Sequence, residues 1–168
     1  LPAHTDMRKI SASIEPGSSA RSIICQTGIT DDVGLIEIGK PKAVETMVVS
    51  GDAGAVGIVG GQIAKIQGCR VVGMAGSEEK INLLINELRV GARINDKTTP
   101  DRAKAMAEAC PKGVAVYFDN VGWESSDAVI KNINFHARIP LCGQISLYNS
   151  TQTPMRPRLQ PMLLTRSV

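Results

Sequence analysis

The stretch Thr46-Met-Val-Val-Ser-Gly-Asp-Ala-Gly-Ala-Val-Gly57 decides the fold. Met47 to Ser50 is a short apolar run, β-branched at its centre, as a buried parallel strand tends to be. Gly51, Gly54 and Gly57 follow where the strand must reverse into a helix. Behind them, Arg70 to Ala75 reads as a second apolar strand ending in small residues. Strand, glycine turn, helix and strand form the front half of a dinucleotide-binding unit. In such a unit a turn free of side chains lets backbone amides approach a pyrophosphate. Helix N-terminal amides and the macrodipole then hold its charge. The pattern is G-x-x-G-x-x-G rather than G-x-G-x-x-G, and Ala53 is small enough to replace the missing middle glycine. The candidate pyrophosphate residues are therefore Gly51, Ala53, Gly54, Ala55, Val56 and Gly57. Asp52 opposes this reading, because a carboxylate there repels a pyrophosphate unless its side chain points away.

The second strand bears on which cofactor binds. A cofactor with a free ribose 2′-OH usually meets an acid at this strand's end. Here the strand ends in Ala75-Gly76, followed by Ser77-Glu78-Glu79-Lys80. Ser77 suits a helix N-cap, and the two glutamates suit a first helical turn. Lys80 then lies in that turn, within reach of a 2′-phosphate. This favours NADP over NAD, with Gly76, Ser77 and Lys80 as the binding residues. Glu78 gripping a 2′-OH is the competing reading.

Composition narrows the class further. The 168 residues suffice for one domain with a sizeable core. Aromatic residues make up only 3%, which speaks against a base-stacking nucleic-acid surface. The net charge is +3 without a long basic run, so no nucleic-acid partner is implied. No apolar stretch approaches the roughly 20 residues that span a bilayer. Neither a membrane partner nor a signal peptide is expected, and the expected location is the cytoplasm. The chain begins Leu1-Pro-Ala-His4 without an initiating methionine, as a fragment or processed product would. Cys25, Cys69, Cys110 and Cys142 are widely spaced, so reduced thiols and no metal are expected. His4 and His136 are too scattered for a metal centre or a catalytic triad.

Strands and helices alternate along the rest of the chain. Residues 27–39 read as a helix, 54–67 as a second, and 77 to about 89 as a third. In the third, Ile81, Leu84, Ile85 and Leu88 share one face. A short strand follows at 92–95, a helix at 101–110, a strand at 113–121 and a helix at 124–133. A fifth strand is read at 137–145, with Pro140 marking a bulge or edge. Residues 162–168 begin another helix. The alternation implies an α/β fold, a doubly wound parallel sheet of Rossmann type. A complete fold of this type has six strands, and about five are present, so it is read as incomplete.

Several motifs in one order resemble a known family. They are Gly34-Leu-Ile-Glu-Ile-Gly-Lys-Pro-Lys42, Val48 to Gly57, Gly61-Gln-Ile-Ala-Lys65, Gly68-Cys-Arg-Val-Val-Gly73, Gly76-Ser-Glu-Glu-Lys80, Val116-Tyr-Phe-Asp-Asn-Val-Gly122 and Cys142-Gly-Gln-Ile-Ser146 with Tyr148-Asn149. Together they resemble the zinc-independent medium-chain dehydrogenase/reductases, within them the prostaglandin reductase and leukotriene 12-hydroxydehydrogenase-like group. The resemblance implies an NADPH-dependent reductase of α,β-unsaturated ketones and aldehydes, with hydride delivered to the β-carbon. Polarisation of the carbonyl would stabilise the enolate. It implies that Lys80 meets the 2′-phosphate. It places Asn120 and Cys142, Gly143, Gln144, Ile145 and Ser146 beside the nicotinamide half. Tyr148 falls near the nicotinamide ribose and is the candidate catalytic residue.

Members of this group run to roughly twice the present length. Residues 1–26 therefore read as a remnant or linker from the catalytic domain, and 27–168 as an NADP-binding domain truncated at its C-terminal end. A homodimer is expected of the longer protein, and its substrate is a small enone. The sequence also departs from the group's pattern. An aromatic segment after Gly28-Ile-Thr30 is replaced by Asp31-Asp32-Val33. Asp96 stands where a tyrosine helps to hold the 2′-phosphate, Trp123 where a glycine follows Gly122, and Asp52 where a small residue is usual. A quinone reductase of the same superfamily and a non-catalytic NADP-binding domain remain the alternatives.

Overall fold

The computed structural model describes residues 26–86, 91–151 and 160–168. The remnant assigned to 1–26 thus lies outside the described residues except for Gln26, as does the end of the helix read to residue 89. Five strands form one parallel sheet: β1 (Thr46–Ser50), β2 (Arg70–Ala75), β3 (Ala92–Asn95), β4 (Val114–Phe118) and β5 (Ile133–Arg138), in the order β3-β2-β1-β4-β5. The helices between them are α2 (Ala55–Ile66), α3 (Glu78–Asn86), α4 (Arg102–Ala109) and α5 (Trp123–Ile130). Ahead of the sheet, α1 (Gln26–Asp31) runs directly into a π-helix, Asp32–Gly39. A 3₁₀ turn, Ile145–Leu147, and α6 (Gln160–Arg166) follow it.

Strand alternation sends β1 side chains to two cores. Met47 and Val49 pack with Ala64 of α2 and Leu84 of α3 on one face. Val48 packs with Met106 of α4 and Val129 of α5 on the other. Helices therefore cover both faces, and β1, β2 and β4 are buried almost throughout. This is the doubly wound α/β architecture expected from the alternation. Asp101 caps α4, its carboxyl group accepting from the Lys104 amide at 2.9 Å. No helix among the described residues is long and apolar enough to cross a membrane.

The fifth strand corrects the sequence reading. It spans Ile133–Arg138 and ends before Pro140, not over 137–145. Proline lacks the amide that would continue the ladder. Beyond it a single parallel bridge joins Asp119 and Leu141; Cys142 to Gln144 form a loop, and Ile145 and Ser146 begin the 3₁₀ turn rather than continuing a strand.

Candidate functional site

The chain leaves β1 toward one face of the sheet and leaves β4 toward the other. A crevice must open outside the carboxyl ends of these adjacent strands, where such folds bind ligands. The cleft there has a volume of about 760 Å³. Its walls come from the glycine turn, the β2–α3 turn, the segment after β3, the β4–α5 turn and the loop after β5.

Gly51 has φ +64°, a conformation glycine adopts without a steric penalty. Gly54 is the N-cap of α2 with extended backbone and no side-chain cap, leaving first-turn amides of α2 free to face a ligand. Gly57 permits the closest approach: a Cβ there would stand 2.2 Å from the Gly51 carbonyl oxygen and 2.6 Å from the Asp52 Cα. Gly51, Ala53, Gly54, Ala55, Val56 and Gly57 all line the cleft. Here α2 presents its N-terminus to the cleft, which suits a pyrophosphate.

Asp52 does not line the cleft. Its amide is bonded to the Met74 carbonyl, and its side chain is turned inward with no solvent exposure. The carboxyl group fills a slot vacated by two glycines: a Cβ on Gly61 or Gly73 would stand 2.5 Å or 2.2 Å from one of its oxygens. Neither oxygen has a hydrogen-bond partner. Burial raises its pKa from 3.8 to about 7. Asp31 shares this situation, lying against Gly60 with both oxygens unpartnered and its pKa raised to about 7 by burial.

Asp119 shows the opposite arrangement. It is buried at the end of β4 and accepts from Ser50, Tyr117, Ser126 and the Val121 and Gly122 amides. Ser50 Oγ also accepts from the Asn120 amide at 2.8 Å, and the Asn120 side chain donates to the Ser50 carbonyl at 3.0 Å. These bonds clamp β1 to the β4 turn across the mouth of the crevice. Asn120 is thus placed in the cleft wall rather than serving as the cap of α5, which is Gly122. The Tyr117 hydroxyl is held protonated by burial first and by Asp119 beside it second.

At one end of the cleft stand Gly76, Ser77 and Lys80. The Lys80 amide lies 3.4 Å from Ser77 Oγ, the capping geometry expected of Ser77. Glu78 does not line the cleft; its carboxyl group accepts from Asn95 at 2.6 Å. Lys97 and Arg102 join the same wall, and the motifs did not single them out. The signal for Lys97 was its place just past β3, whose Asn95 is in register with Ala75 of β2.

At the other end, Asn120, Cys142, Gly143, Ile145, Ser146 and Tyr148 line the cleft, whereas Gln144 does not. Ser146 Oγ donates to the Val121 carbonyl. The Tyr148 hydroxyl lies 3.4 Å from the Gln144 amide, on a side chain 69% exposed. Burial pushes the Cys142 thiol up to about 11, with Asp31 and Asp119 adding to the effect. At neutral pH it is a thiol and a poor nucleophile. Trp123 lines the cleft with φ +59°, a left-handed conformation that costs a side chain about 1–2 kcal/mol. Among the described residues no cluster of three or more His, Cys, Asp or Glu side chains is arranged to hold a metal.

Comparison with known proteins bears on the fold and the family. YfmJ of Bacillus subtilis (strain 168), which carries the name of an NADP-dependent oxidoreductase, is 54% identical over 160 residues, covering 94% of this chain and 47% of YfmJ. Prostaglandin reductase 1 of Oryctolagus cuniculus is 45% identical over 149 residues, covering 88% of this chain and 42% of its own. The crystal structure of CurA from Vibrio vulnificus in complex with NADPH superposes with a TM-score of 0.85 at 40% identity, over 94% of this chain and 47% of CurA. The chain therefore spans about half the length of the relatives it matches. The sequence pattern of the zinc-binding dehydrogenases matches residues 55–166, and the chain belongs to that family, in the medium-chain dehydrogenase/reductase superfamily.

Proposed function

We propose that this chain is the cofactor-binding part of an NADPH-dependent oxidoreductase that reduces the C=C bond of α,β-unsaturated ketones and aldehydes. In this reading residues 27–168 form the NADP-binding domain and 1–26 are a remnant or linker from the catalytic domain. The carrying observation is the cleft itself: a side-chain-free turn at the N-terminus of α2, open at the switch between β1 and β4. Support for the substrate class comes from the names of relatives, prostaglandin reductase 1 among them.

NADPH, when bound, supplies the hydride for the β-carbon of the enone. The residues of this chain bind and orient. The α2 amides and Gly51, Ala53, Gly54, Ala55, Val56 and Gly57 take the pyrophosphate. Gly76, Ser77 and Lys80 take the adenosine ribose and its 2′-phosphate. Asn120, held by Ser50, and Cys142, Gly143, Ile145 and Ser146 take the nicotinamide half. Tyr148 offers a hydroxyl proton at the cleft rim, where it can hydrogen-bond the nicotinamide ribose. A neutral Cys142 thiol suits this chemistry, which needs no covalent nucleophile.

Lys80→Ala tests the reading directly. The variant is expected to weaken NADPH binding tenfold to a hundredfold, on the order of the 1.5–3 kcal/mol of a charge-assisted phosphate contact, in a calorimetric titration, and to leave NADH binding unchanged. Equal effects on both nucleotides would remove Lys80 from the 2′-phosphate site. The 168-residue chain is expected to bind NADPH without consuming it when an enone is added. Enone-dependent oxidation of NADPH by this chain alone would contradict that.

A further inference from the structure

The acid usual at the end of β2 is missing, since the strand closes on Ala75 and Gly76. An acid from the neighbouring strand stands there instead. The Asp96 amide donates to the Ala75 carbonyl at 3.1 Å, which fixes Asp96 beside the end of β2. Its Oδ1 lies 3.3 Å from where a Cβ on Gly76 would stand. Asp96 lines the cleft together with Gly76, Ser77 and Lys80. Its Oδ2 accepts from Ser125 Oγ at 3.3 Å, while its Oδ1 is closed to solvent and has no partner. A buried acceptor without a partner loses free energy, and a donor in the cleft reaches Oδ1 once the flexible Lys97 stem beside Gly76 moves aside.

We infer that Asp96 is a selectivity residue for the cofactor, one that favours a ribose 2′-OH and opposes a 2′-phosphate. The inference rests on the cofactor reading above. A 2′-OH is a donor, and an acid at this point in the fold is the usual partner for it. Glu78 cannot take the role while it is engaged with Asn95 outside the cleft. A 2′-phosphate brings only acceptors and negative charge, so Asp96 repels it.

The surrounding charges set the outcome. Lys80, Lys97 and Arg102 line the same cleft and attract a phosphate, although Arg102 Nε already donates to the Asp96 carbonyl. Arg102 is partly neutralised by Glu124, at 3.1 Å. The Lys97 stem crosses Gly76, with its Cε 3.0 Å from the position of an added Cβ. Cations and an acid therefore oppose one another at one ribose, and the cleft discriminates weakly between NADPH and NADH.

The test is a calorimetric titration of the 168-residue chain with NADPH and with NADH, for wild type, Asp96→Asn and Asp96→Ala. Asparagine preserves the shape and an acceptor for Ser125, and alanine removes both. Wild type is expected to bind the two nucleotides within about tenfold of one another. Each variant should raise the NADPH-to-NADH affinity ratio about tenfold, the scale of a charge-assisted contact. An unchanged ratio in variants that still bind NADPH overturns this inference and leaves the cofactor reading standing. Binding of neither nucleotide by any form overturns the cofactor reading and the inference with it.

Discussion

Asp52→Ala is expected to stabilise the chain by up to about 3 kcal/mol net of the void it leaves, above pH 7, measured by urea unfolding. The magnitude follows from a pKa raised from 3.8 to about 7. The sign follows from linkage. The folded state holds the Asp52 proton more tightly than the unfolded state does. Its contribution is therefore fully present below about pH 4 and is lost as pH rises through about 7. Wild-type stability should fall across that window, with Asp31 adding a change of the same sign. In Asp52→Ala the fall should be much shallower. The void left between Gly61 and Gly73 costs about 1 kcal/mol, less than the gain. Equal stability of wild type and variant at pH 8, with parallel pH profiles, would show that Asp52 is solvated or paired.

Gly57→Ala is expected to destabilise the fold by at least about 3 kcal/mol and to abolish NADPH binding. The new Cβ would meet backbone rather than flexible side chains, at 2.2 Å from the Gly51 carbonyl oxygen. Only separation of α2 from the turn relieves that contact, and the separation withdraws the helix amides from the cleft. Gly54→Ala is the control. Its Cβ would meet a single atom at 3.0 Å, and its backbone is extended. It should cost about 1 kcal/mol. Similar losses in the two variants would mean that the close approach at Gly57 does not hold the turn together.

These two cases also show what sequence could and could not convey. The apolar runs of β1 and β2 are buried and short, so they were legible to within a residue; in β3 only Ile94 is buried. The β5 segment was misplaced because it is an edge strand. Its Phe135 and His136 are exposed and its Asn134 half-buried, so the segment shows no continuous apolar run, whereas Ile139 and Leu141 lie downstream of it. Three glycines at equal spacing looked equivalent, yet only Gly51 needs a positive φ and only Gly57 lies hard against backbone. The direction of Asp52 depended on Gly61 and Gly73, which are 9 and 21 residues away in sequence and vacate its slot. The Ser50–Asp119 bond joins residues 69 apart, so no local pattern announced it. Lys97 and Arg102 were missed because each looks like any solvated cation until the sheet brings β3 beside β2.

A two-dimensional amide NMR titration of the 168-residue chain with NADPH decides whether this cleft holds a dinucleotide. The largest shifts are expected on Gly51 to Gly57, Gly76 to Lys80, Asn120 and Cys142 to Ser146, in one saturable process. Shifts confined to other surfaces, or a spectrum unchanged at millimolar NADPH, would contradict the placement of a dinucleotide in this cleft.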